Sequence, residues 1–257
     1  MLRLYNFHMS ASAPAVVRTT LALLFTGMIT PLGALIGFPA TWITGNADFL
    51  YAMAMWIARN GLRLAGIDVK VKGMENIDPA ATYIFMCNHV SNLDPPVLIT
   101  RLPRRTSVLV KKELFRIPIL GHAMRLGDLV SVDRSDREAA VDSMRQAENV
   151  MKRGLNMMVF PEGTRSRDGR LLPFKKGPFY LAMDSGVPIV PVTILGSEDL
   201  MTKGSPLIRS GTVELLFHPP LLPADFGEKE ELIAAVRKEV ASALPVTLRD
   251  ADLDAPA

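Results

Sequence analysis

Cysteine and aromatic residues are scarce in this sequence. Cys87 is the one cysteine among 257 residues, so no disulfide can form within the chain, which fits a reducing compartment. Phe, Tyr and Trp together make up 7% of the residues, and no nucleic-acid-binding motif accompanies the basic residues. We therefore expect no nucleic acid among the partners.

Two common catalytic signatures are also missing. The chain has no G-x-S-x-G segment, which excludes the nucleophile elbow of a serine hydrolase. It has no G-x-x-x-x-G-K segment either, which excludes a P-loop nucleotide site. Any catalytic chemistry must therefore come from another arrangement of polar side chains.

No charged residue occurs between Thr19 and Ala47. This apolar run is long enough to cross a bilayer, which takes about 20 residues, and it is too long for a cleaved signal peptide. Pro31 and Pro39 argue against one uninterrupted helix, and a second apolar helix pattern follows from Phe49 to Leu64. Because basic residues flank both ends, we expect a helical hairpin that dips into the cell inner membrane from its cytoplasmic face, with a single span as the alternative.

Short apolar runs alternate with helical patterns in the rest of the chain. Ile67–Val71 alternates apolar and charged residues, as an edge strand does, and Thr82–Cys87 is typical of a buried central strand. The prolines of Val187–Ile194 confine that strand to an edge or to an irregular start. The alternation predicts an α/β fold, in which a single domain has a central mixed sheet flanked by helices.

The pattern divides the chain into three parts. An N-terminal membrane-associated helical segment (1–64) precedes a single α/β domain (65–245), and an acidic tail (246–257) ends the chain. The formal net charge is +3 overall, but the residues from Asp225 onward contribute −4, so the remainder is distinctly basic. A basic body of this kind favours an anionic partner such as phosphate or a lipid headgroup.

A histidine and an aspartate follow the predicted central strand. His89 and Asp94 lie just beyond its carboxyl end, where the catalytic groups of open α/β sheets collect. Asp94 bonded to one imidazole nitrogen would leave the other free to accept a proton from a hydroxyl. The alternative is an ordinary helix cap by Asn92 or Asp94 beside a structural histidine. The adjacent Cys87 is expected to be buried and inert rather than a nucleophile.

A second polar group, at Pro161–Gly169, follows another predicted strand, Asn156–Phe160. Gly163 allows close backbone approach, Thr164 offers a hydroxyl, and Arg165 offers a planar fork that suits phosphate. The alternative is a charged surface turn. The pair Lys111-Lys112 after a third strand is compatible with phosphate binding, although such pairs are more often solvated strand ends.

Four blocks in this order resemble the glycerolipid acyltransferase family. The family's N-H-x-x-x-x-D block is intact at 88–94, and its F-P-E-G-T-R-S block is matched throughout at 160–166. Lys-Lys-Glu-Leu at 111–114 and Val-Pro-Ile-Val-Pro at 187–191 fit the second and fourth blocks, although Val130-Ser131-Val132 replaces the residues usual at the end of the second. The first and third blocks together make the resemblance specific.

The resemblance implies transfer of an acyl chain from acyl-CoA or acyl-carrier protein to the free hydroxyl of 1-acyl-sn-glycerol-3-phosphate, which gives phosphatidic acid. It makes His89 the general base and Asp94 its orienting partner, with no metal, no resident cofactor and no acyl-enzyme. The residues that it places around the glycerol phosphate are Lys111, Lys112, Arg134, Glu162, Gly163, Thr164 and Arg165.

Two alternatives remain open from the sequence. The acceptor could be another lyso-lipid, such as a lyso-ornithine lipid, or glycerol-3-phosphate itself, because relatives with other headgroups keep similar motifs. Outside the enzymes, the chain could be a membrane lipid-binding protein. The expected partners are thus a lyso-phospholipid, an acyl thioester donor and the membrane bilayer.

Overall fold

The helices and strands are seen in a computed structural model that describes residues 13–133, 137–201 and 205–249. The α-helices are α1 Ala13–Thr44, α2 Asp48–Leu64, α3 Asp94–Ile99, α4 Leu120–Leu126, α5 Arg137–Lys152, α6 Gly177–Ser185, α7 Ser197–Leu200 and α8 Lys229–Ser242. The strands are β1 Ile67–Lys72, β2 Ile84–Cys87, β3 Thr106–Lys111, β4 Val130–Val132, β5 Asn156–Val159, β6 Ile189–Leu195 and β7 Gly211–Phe217.

The seven strands form one mixed sheet in the order β1-β7-β6-β2-β5-β3-β4. Every neighbouring pair is parallel except β6 and β7, which pair antiparallel. The predicted α/β fold with a mixed central sheet is confirmed. The alternating segment Ile67–Val71 is an edge strand, as its pattern indicates.

Strand β2 lies at the centre of the sheet and is buried on both faces. Alternate residues of a strand point to opposite faces, so Phe85 joins one hydrophobic cluster and Ile84 joins the other. The Phe85 cluster includes residues of α1, α2 and α3, whereas the Ile84 cluster includes residues of α5, α6 and α8. The sheet therefore separates the N-terminal helices from α5 and α6.

The prolines predict that strand β6 is an edge strand or has an irregular start, and the structure excludes the edge, because β6 lies between β7 and β2. Pro191 pairs with Met86 of β2 within the parallel ladder. Its carbonyl accepts a hydrogen bond from the His218 amide, on the side of β7. The antiparallel ladder with β7 begins one residue later, at Val192, so the N–H that proline lacks falls at the end of that ladder. An interior strand tolerates a proline at such a position.

Helices α1 and α2 form the predicted hairpin, but α1 is one continuous helix that contains both Pro31 and Pro39. The expectation of an interruption is wrong. The fixed φ of proline is compatible with a helix, but a proline inside a helix removes one backbone hydrogen bond and bends the helix locally. Packing against α2 offsets that cost: a Cβ added to Gly37 would lie 2.7 Å from Met53 Cε, so the two helices are in close contact there.

Within the described residues, α1 is the one helix long and apolar enough to cross a membrane. Only a minority of its residues are buried against the rest of the protein. Its exposed large apolar residues are Val16, Val17, Leu21, Leu23, Leu24, Met28, Leu32, Leu35, Ile36, Trp42 and Ile43. An exposed apolar surface of this extent marks an interaction site for lipid or protein.

The first residues of the predicted acidic tail contact the α/β domain. Val246–Leu248 forms a 3-10 turn, and the Leu248 carbonyl accepts a hydrogen bond from the Leu171 amide at 3.0 Å. Residues 250–257 lie outside the described residues, as do the first twelve residues and Arg134.

Candidate active site

The candidate site lies where three neighbouring strands end. Strand β2 is parallel to β5 on one side and to β6 on the other, so the segments that follow all three meet at one edge of the sheet. This is the edge at which open α/β sheets bind ligands. The segment after β2 carries His89 and Asp94, and the segment after β5 carries the residues from Phe160 to Ser166.

His89 and Asp94 form a hydrogen-bonded pair. The imidazole Nδ1 lies 2.8 Å from Asp94 Oδ2. The His89 side chain is 15% exposed, whereas Asp94 is fully buried. Among the described residues no hydrogen bond to His89 Nε2 is seen. The pair therefore has the arrangement that the sequence predicts, with one ring nitrogen engaged and the other open.

Asp94 is surrounded by hydrogen-bond donors. Its Oδ2 accepts the backbone N–H groups of Val90 and Ser91, each at 2.7 Å, and its Oδ1 accepts the hydroxyl of Ser197. These donors hold the carboxylate in place beside the imidazole of His89. The carboxylate consequently fixes a hydrogen on Nδ1 of His89, so that Nε2 can act as the base.

The predicted alternative of a helix cap does not describe these residues. Asp94 is the first residue of α3, but the helix has no side-chain cap hydrogen bond. The Asp94 carboxylate instead binds groups of the segment that precedes it and the hydroxyl of Ser197. The sequence could not have indicated Ser197, which lies 103 residues from Asp94, except through its place just after the carboxyl end of β6.

Backbone and amide hydrogen bonds hold the His89 segment from both sides. The side-chain amide of Asn88 donates to the Ile194 carbonyl at 2.9 Å and accepts the Ile194 N–H at 2.8 Å. On the other side, the Ser166 amide donates to the His89 carbonyl at 2.8 Å. Strand β6 and the segment after β5 thus fix the backbone on which His89 is carried.

Glu162 has a position different from the one predicted for a headgroup ligand. It is 2% exposed, and its two oxygens accept the backbone N–H groups of His89 at 2.6 Å and of Leu172 at 3.0 Å. Burial raises the pKa of the Glu162 carboxyl to about 7, against these two hydrogen bonds, which lower it. Glu162 therefore links the segment after β5 to the backbone of His89 instead of facing solvent.

Phe160 and Gly163 shape the wall beside the catalytic pair. The Phe160 ring stacks on the imidazole of His89, with centroids 4.0 Å apart and planes tilted by 25°. Gly163 has a φ of +72° in the turn that follows, where its N–H donates to the Phe160 carbonyl. A side chain at that φ would be strained, so glycine is required at this turn.

The remaining predicted binding residues are partly accessible. Thr164 is exposed and Arg165 is partly buried, and both belong to the turn after β5. Lys111 lies 3.6 Å from Glu113, and Lys112 forms an ion pair with Asp133. Arg134 is outside the described residues, so its predicted role is carried forward only as a proposal.

Cys87 is fully buried at the end of β2. Burial raises the pKa of its thiol well above the usual value, and the nearby Asp94 and Glu162 raise it further. The reactive species of cysteine is the thiolate, which this environment disfavours. The structure supports the expectation that Cys87 is inert.

Comparison with protein families identifies an acyltransferase model that matches residues 68–195. A chloroplastic 1-acyl-sn-glycerol-3-phosphate acyltransferase of Brassica napus is 35% identical over 177 residues, which cover 68% of this chain and 50% of the relative. An enzyme of the same name from Limnanthes douglasii is 39% identical over 162 residues, which cover 63% of this chain and 57% of the relative. The matched part of this chain thus spans about half the length of these curated relatives.

A solved structure covers more of the chain. The crystal structure of the 1-acyl-sn-glycerophosphate acyltransferase PlsC from Thermotoga maritima matches with a TM-score of 0.73 and 30% sequence identity. The match covers 89% of this chain and 95% of that protein. Fewer residues lie outside the match than α1 and α2 contain together, so the likeness includes at least part of the N-terminal hairpin.

Proposed function

The chain belongs to the acyltransferase family, and from that premise we propose that it transfers an acyl group from a thioester donor to the free hydroxyl of 1-acyl-sn-glycerol-3-phosphate. The product is phosphatidic acid. The observation that carries the proposal is the buried Asp94 carboxylate bonded to Nδ1 of a partly exposed His89. The names of its relatives point to the same reaction.

The catalytic pair acts as a general base in this reaction. Nε2 of His89 accepts the proton of the acceptor hydroxyl as the oxygen attacks the thioester carbonyl, and Asp94 stabilises the imidazolium that forms. The tetrahedral intermediate then expels the thiolate, which takes the proton back from Nε2. A base of this kind contributes about 100- to 10,000-fold in rate. No acyl-enzyme, metal or resident cofactor is part of the proposed reaction.

The phosphate of the acceptor is proposed to lie on the side of the turn after β5. Arg165 presents a fork that binds phosphate through two hydrogen bonds, and the exposed Thr164 offers a hydroxyl beside it. Lys111, Lys112 and Arg134 add positive charge. The two lysines already face carboxylates, so an incoming phosphate competes with those contacts.

The N-terminal hairpin is proposed to hold the protein on the cytoplasmic face of the cell inner membrane. The exposed apolar surface of α1 supports this, because such a surface is stabilised by lipid and not by water. The division into a membrane-associated segment (1–64), a catalytic domain (65–245) and a tail (246–257) is part of the same proposal. The donor is either acyl-CoA or acyl-carrier protein.

The test is an acyl transfer assay with purified protein in detergent. Each donor is offered with lysophosphatidic acid, glycerol-3-phosphate or a lyso-ornithine lipid, using the wild type, His89→Ala, Asp94→Asn and Cys87→Ala. We expect phosphatidic acid from the wild type and Cys87→Ala, and a loss on the order of 100- to 10,000-fold in the two catalytic variants.

Other outcomes of the assay have defined meanings. Transfer to a different acceptor that still needs His89 would keep the mechanism and replace the substrate. Full activity in His89→Ala would refute the general-base role. Absence of transfer with every donor and acceptor would favour a membrane lipid-binding protein.

A further inference from the structure

The two oxygens of the Asp94 carboxylate have different sources of hydrogen bonds. Oδ2 accepts from Nδ1 of His89 and from the backbone N–H groups of Val90 and Ser91, which all belong to the segment after β2. In the described part of the chain, Oδ1 accepts from one group, the hydroxyl of Ser197, which begins α7 after β6. The proposed mechanism uses Oδ2 and gives Ser197 no role.

Burial leaves no substitute for the Ser197 hydroxyl. The side chains of Asp94 and Ser197 are both fully buried, and a buried carboxylate oxygen without a donor is unfavourable. The oxygen of a hydroxyl overlaps the carbon to which it is bonded, so its removal leaves less room than a water molecule needs. Without the hydroxyl, the carboxylate must turn to find another donor. Because the same carboxylate holds the His89 ring, that movement reaches the base.

The turn before α7 fixes the position of Ser197. Gly196 has a φ of +85°, and a Cβ there would lie 2.8 Å from the Thr212 carbonyl oxygen, so glycine is required at this position. At the other end of α7, Leu200 is buried in the Phe85 cluster. The hydroxyl of Ser197 is therefore held in place by a tight turn and by the hydrophobic core.

A second hydrogen bond links α7 to the segment that carries the catalytic pair. The Ser91 hydroxyl donates to the carbonyl of Met201, the residue that follows α7, at 2.9 Å. The N–H of the same Ser91 donates to Asp94 Oδ2 at 2.7 Å. Both ends of α7 thus contact this segment, so the helix is a fixed support for the Asp94 carboxylate.

We propose that Ser197 is a positioning residue for acyl transfer. Its hydroxyl fixes the Asp94 carboxylate, so that Oδ2 holds the His89 ring with Nε2 directed to the acceptor hydroxyl. This inference rests on the proposed function, and Ser197 acts through Asp94 and not on the substrate. It adds the segment after β6 to the segments after β2 and β5, on which the proposed mechanism already depends.

Ser197→Ala tests this role, with Ser107→Ala as the matched control. The Ser107 side chain is also fully buried, and its hydroxyl donates to the Asp128 carbonyl near the amino end of β3, at the edge of the sheet opposite His89. We expect Ser197→Ala to lower kcat on the order of 10- to 100-fold and to leave both KM values within about twofold of wild type. Ser107→Ala should keep kcat, and melting temperatures show that both variants are folded.

The conservative variant Ser197→Thr keeps the hydroxyl. It is expected to restore kcat to within about threefold of wild type. If Ser197→Ala has the same kcat as Ser107→Ala, Ser197 does not position the pair and the proposal is overturned.

A double-mutant cycle with Asp94→Asn distinguishes action through Asp94 from a general structural effect. Residues that act as a unit have non-additive effects on the rate. In the Asp94→Asn protein, which has no carboxylate to position, Ser197→Ala is expected to lower the remaining kcat by less than about twofold. An equal loss in both backgrounds would show that Ser197 acts independently of Asp94, which contradicts the proposal.

Nuclear magnetic resonance of the protein in detergent examines the pair without turnover. The proton on Nδ1 of His89 is observed with isotope-labelled histidine and is assigned by its absence from His89→Ala. We expect Ser197→Ala to shift and broaden this resonance and Ser107→Ala to leave it unchanged. If the wild type transfers no acyl group, that result would keep the positioning role and reject the proposed function. An identical resonance in Ser197→Ala and the wild type would reject the positioning role.

Discussion

Glu162 is the residue whose position differs most from its predicted role. Burial raises the pKa of its carboxyl to about 7, from the 4.5 that is usual for glutamate. Between these two pH values the folded protein binds a proton at Glu162 that the unfolded chain has lost. The contribution of the Glu162 carboxyl to the free energy of unfolding is therefore fully present at low pH, and it is lost as the pH rises through 7.

This coupling predicts a pH-dependent difference between the wild type and Glu162→Gln. The glutamine is neutral at every pH, so from pH 5 to pH 8 the wild type should lose up to about 3 kcal/mol relative to the variant. For a chain of this size, the variant should therefore gain roughly 5 to 10 °C in melting temperature over the wild type between pH 5 and pH 8. Thermal melting in detergent at pH 5, 6, 7 and 8 measures it, and a difference that stays constant with pH would contradict the prediction.

The sequence indicates the catalytic pair but not the residues that hold it. His89 and Asp94 are five residues apart after an apolar strand, so a local pattern is enough to pair them. Glu162 and Ser197 act across sequence distances that only the order of β2, β5 and β6 in the sheet brings together. The family resemblance places Glu162 at the headgroup, whereas its burial depends on the approach of the His89 segment.

At the scale of elements, proline accounts for both differences between the expected and the observed fold. Pro31 and Pro39 lie inside α1, and Pro191 lies inside β6. The cost of a proline depends on whether the hydrogen bond it removes would otherwise have formed and on what packs against the bend. The missing hydrogen bond and the packing at the bend both depend on tertiary structure. The sequence rules therefore predict a helix and a strand correctly here, but they misjudge the continuity of α1 and the place of β6 in the sheet.

Close contact between α1 and α2 predicts a specific sensitivity at Gly37. A Cβ there would lie 2.7 Å from Met53 Cε and 2.8 Å from Leu50 Cδ1. These are the ends of flexible side chains that yield to an alanine, whereas the larger side chain of Gly37→Ile must push the helices apart. Overpacking of this kind costs about 1–3 kcal/mol.

Gly27 provides the control within the same helix, because a Cβ there meets no atom within 4 Å. Gly27→Ala is expected to be neutral, or stabilising by up to about 1 kcal/mol through helix propensity. Melting temperatures in detergent compare the two variants. A Gly37→Ile protein as stable as Gly27→Ala would show that α1 and α2 do not depend on this contact.

At the scale of the whole molecule, the sheet separates two environments. One face is covered by α1 and α2, which carry the exposed apolar surface, and the other by α5, α6 and α8. His89 lies at the edge where the two faces meet, at the carboxyl end of β2.

This arrangement predicts that membrane attachment and chemistry can be separated by substitutions in α1. Leu35 and Ile43 are exposed apolar residues of that helix, and Ile43 is 85% exposed. A lysine inside a bilayer costs about 2.5–3.5 kcal/mol in insertion measurements. Leu35→Lys with Ile43→Lys should therefore lower partitioning into phospholipid vesicles at least about tenfold.

Val246→Lys supplies the control, since Val246 is an exposed apolar residue at the start of the tail, 67% accessible and far along the chain from the hairpin. Co-sedimentation with vesicles measures partitioning, and transfer to hexanoyl lysophosphatidic acid, which dissolves as a monomer, measures chemistry. We expect the α1 variant to lose vesicle binding while its activity on the soluble acceptor stays near that of Val246→Lys. If both proteins bind vesicles equally, the exposed face of α1 does not contact lipid, and its apolar surface must be covered by a protein partner instead.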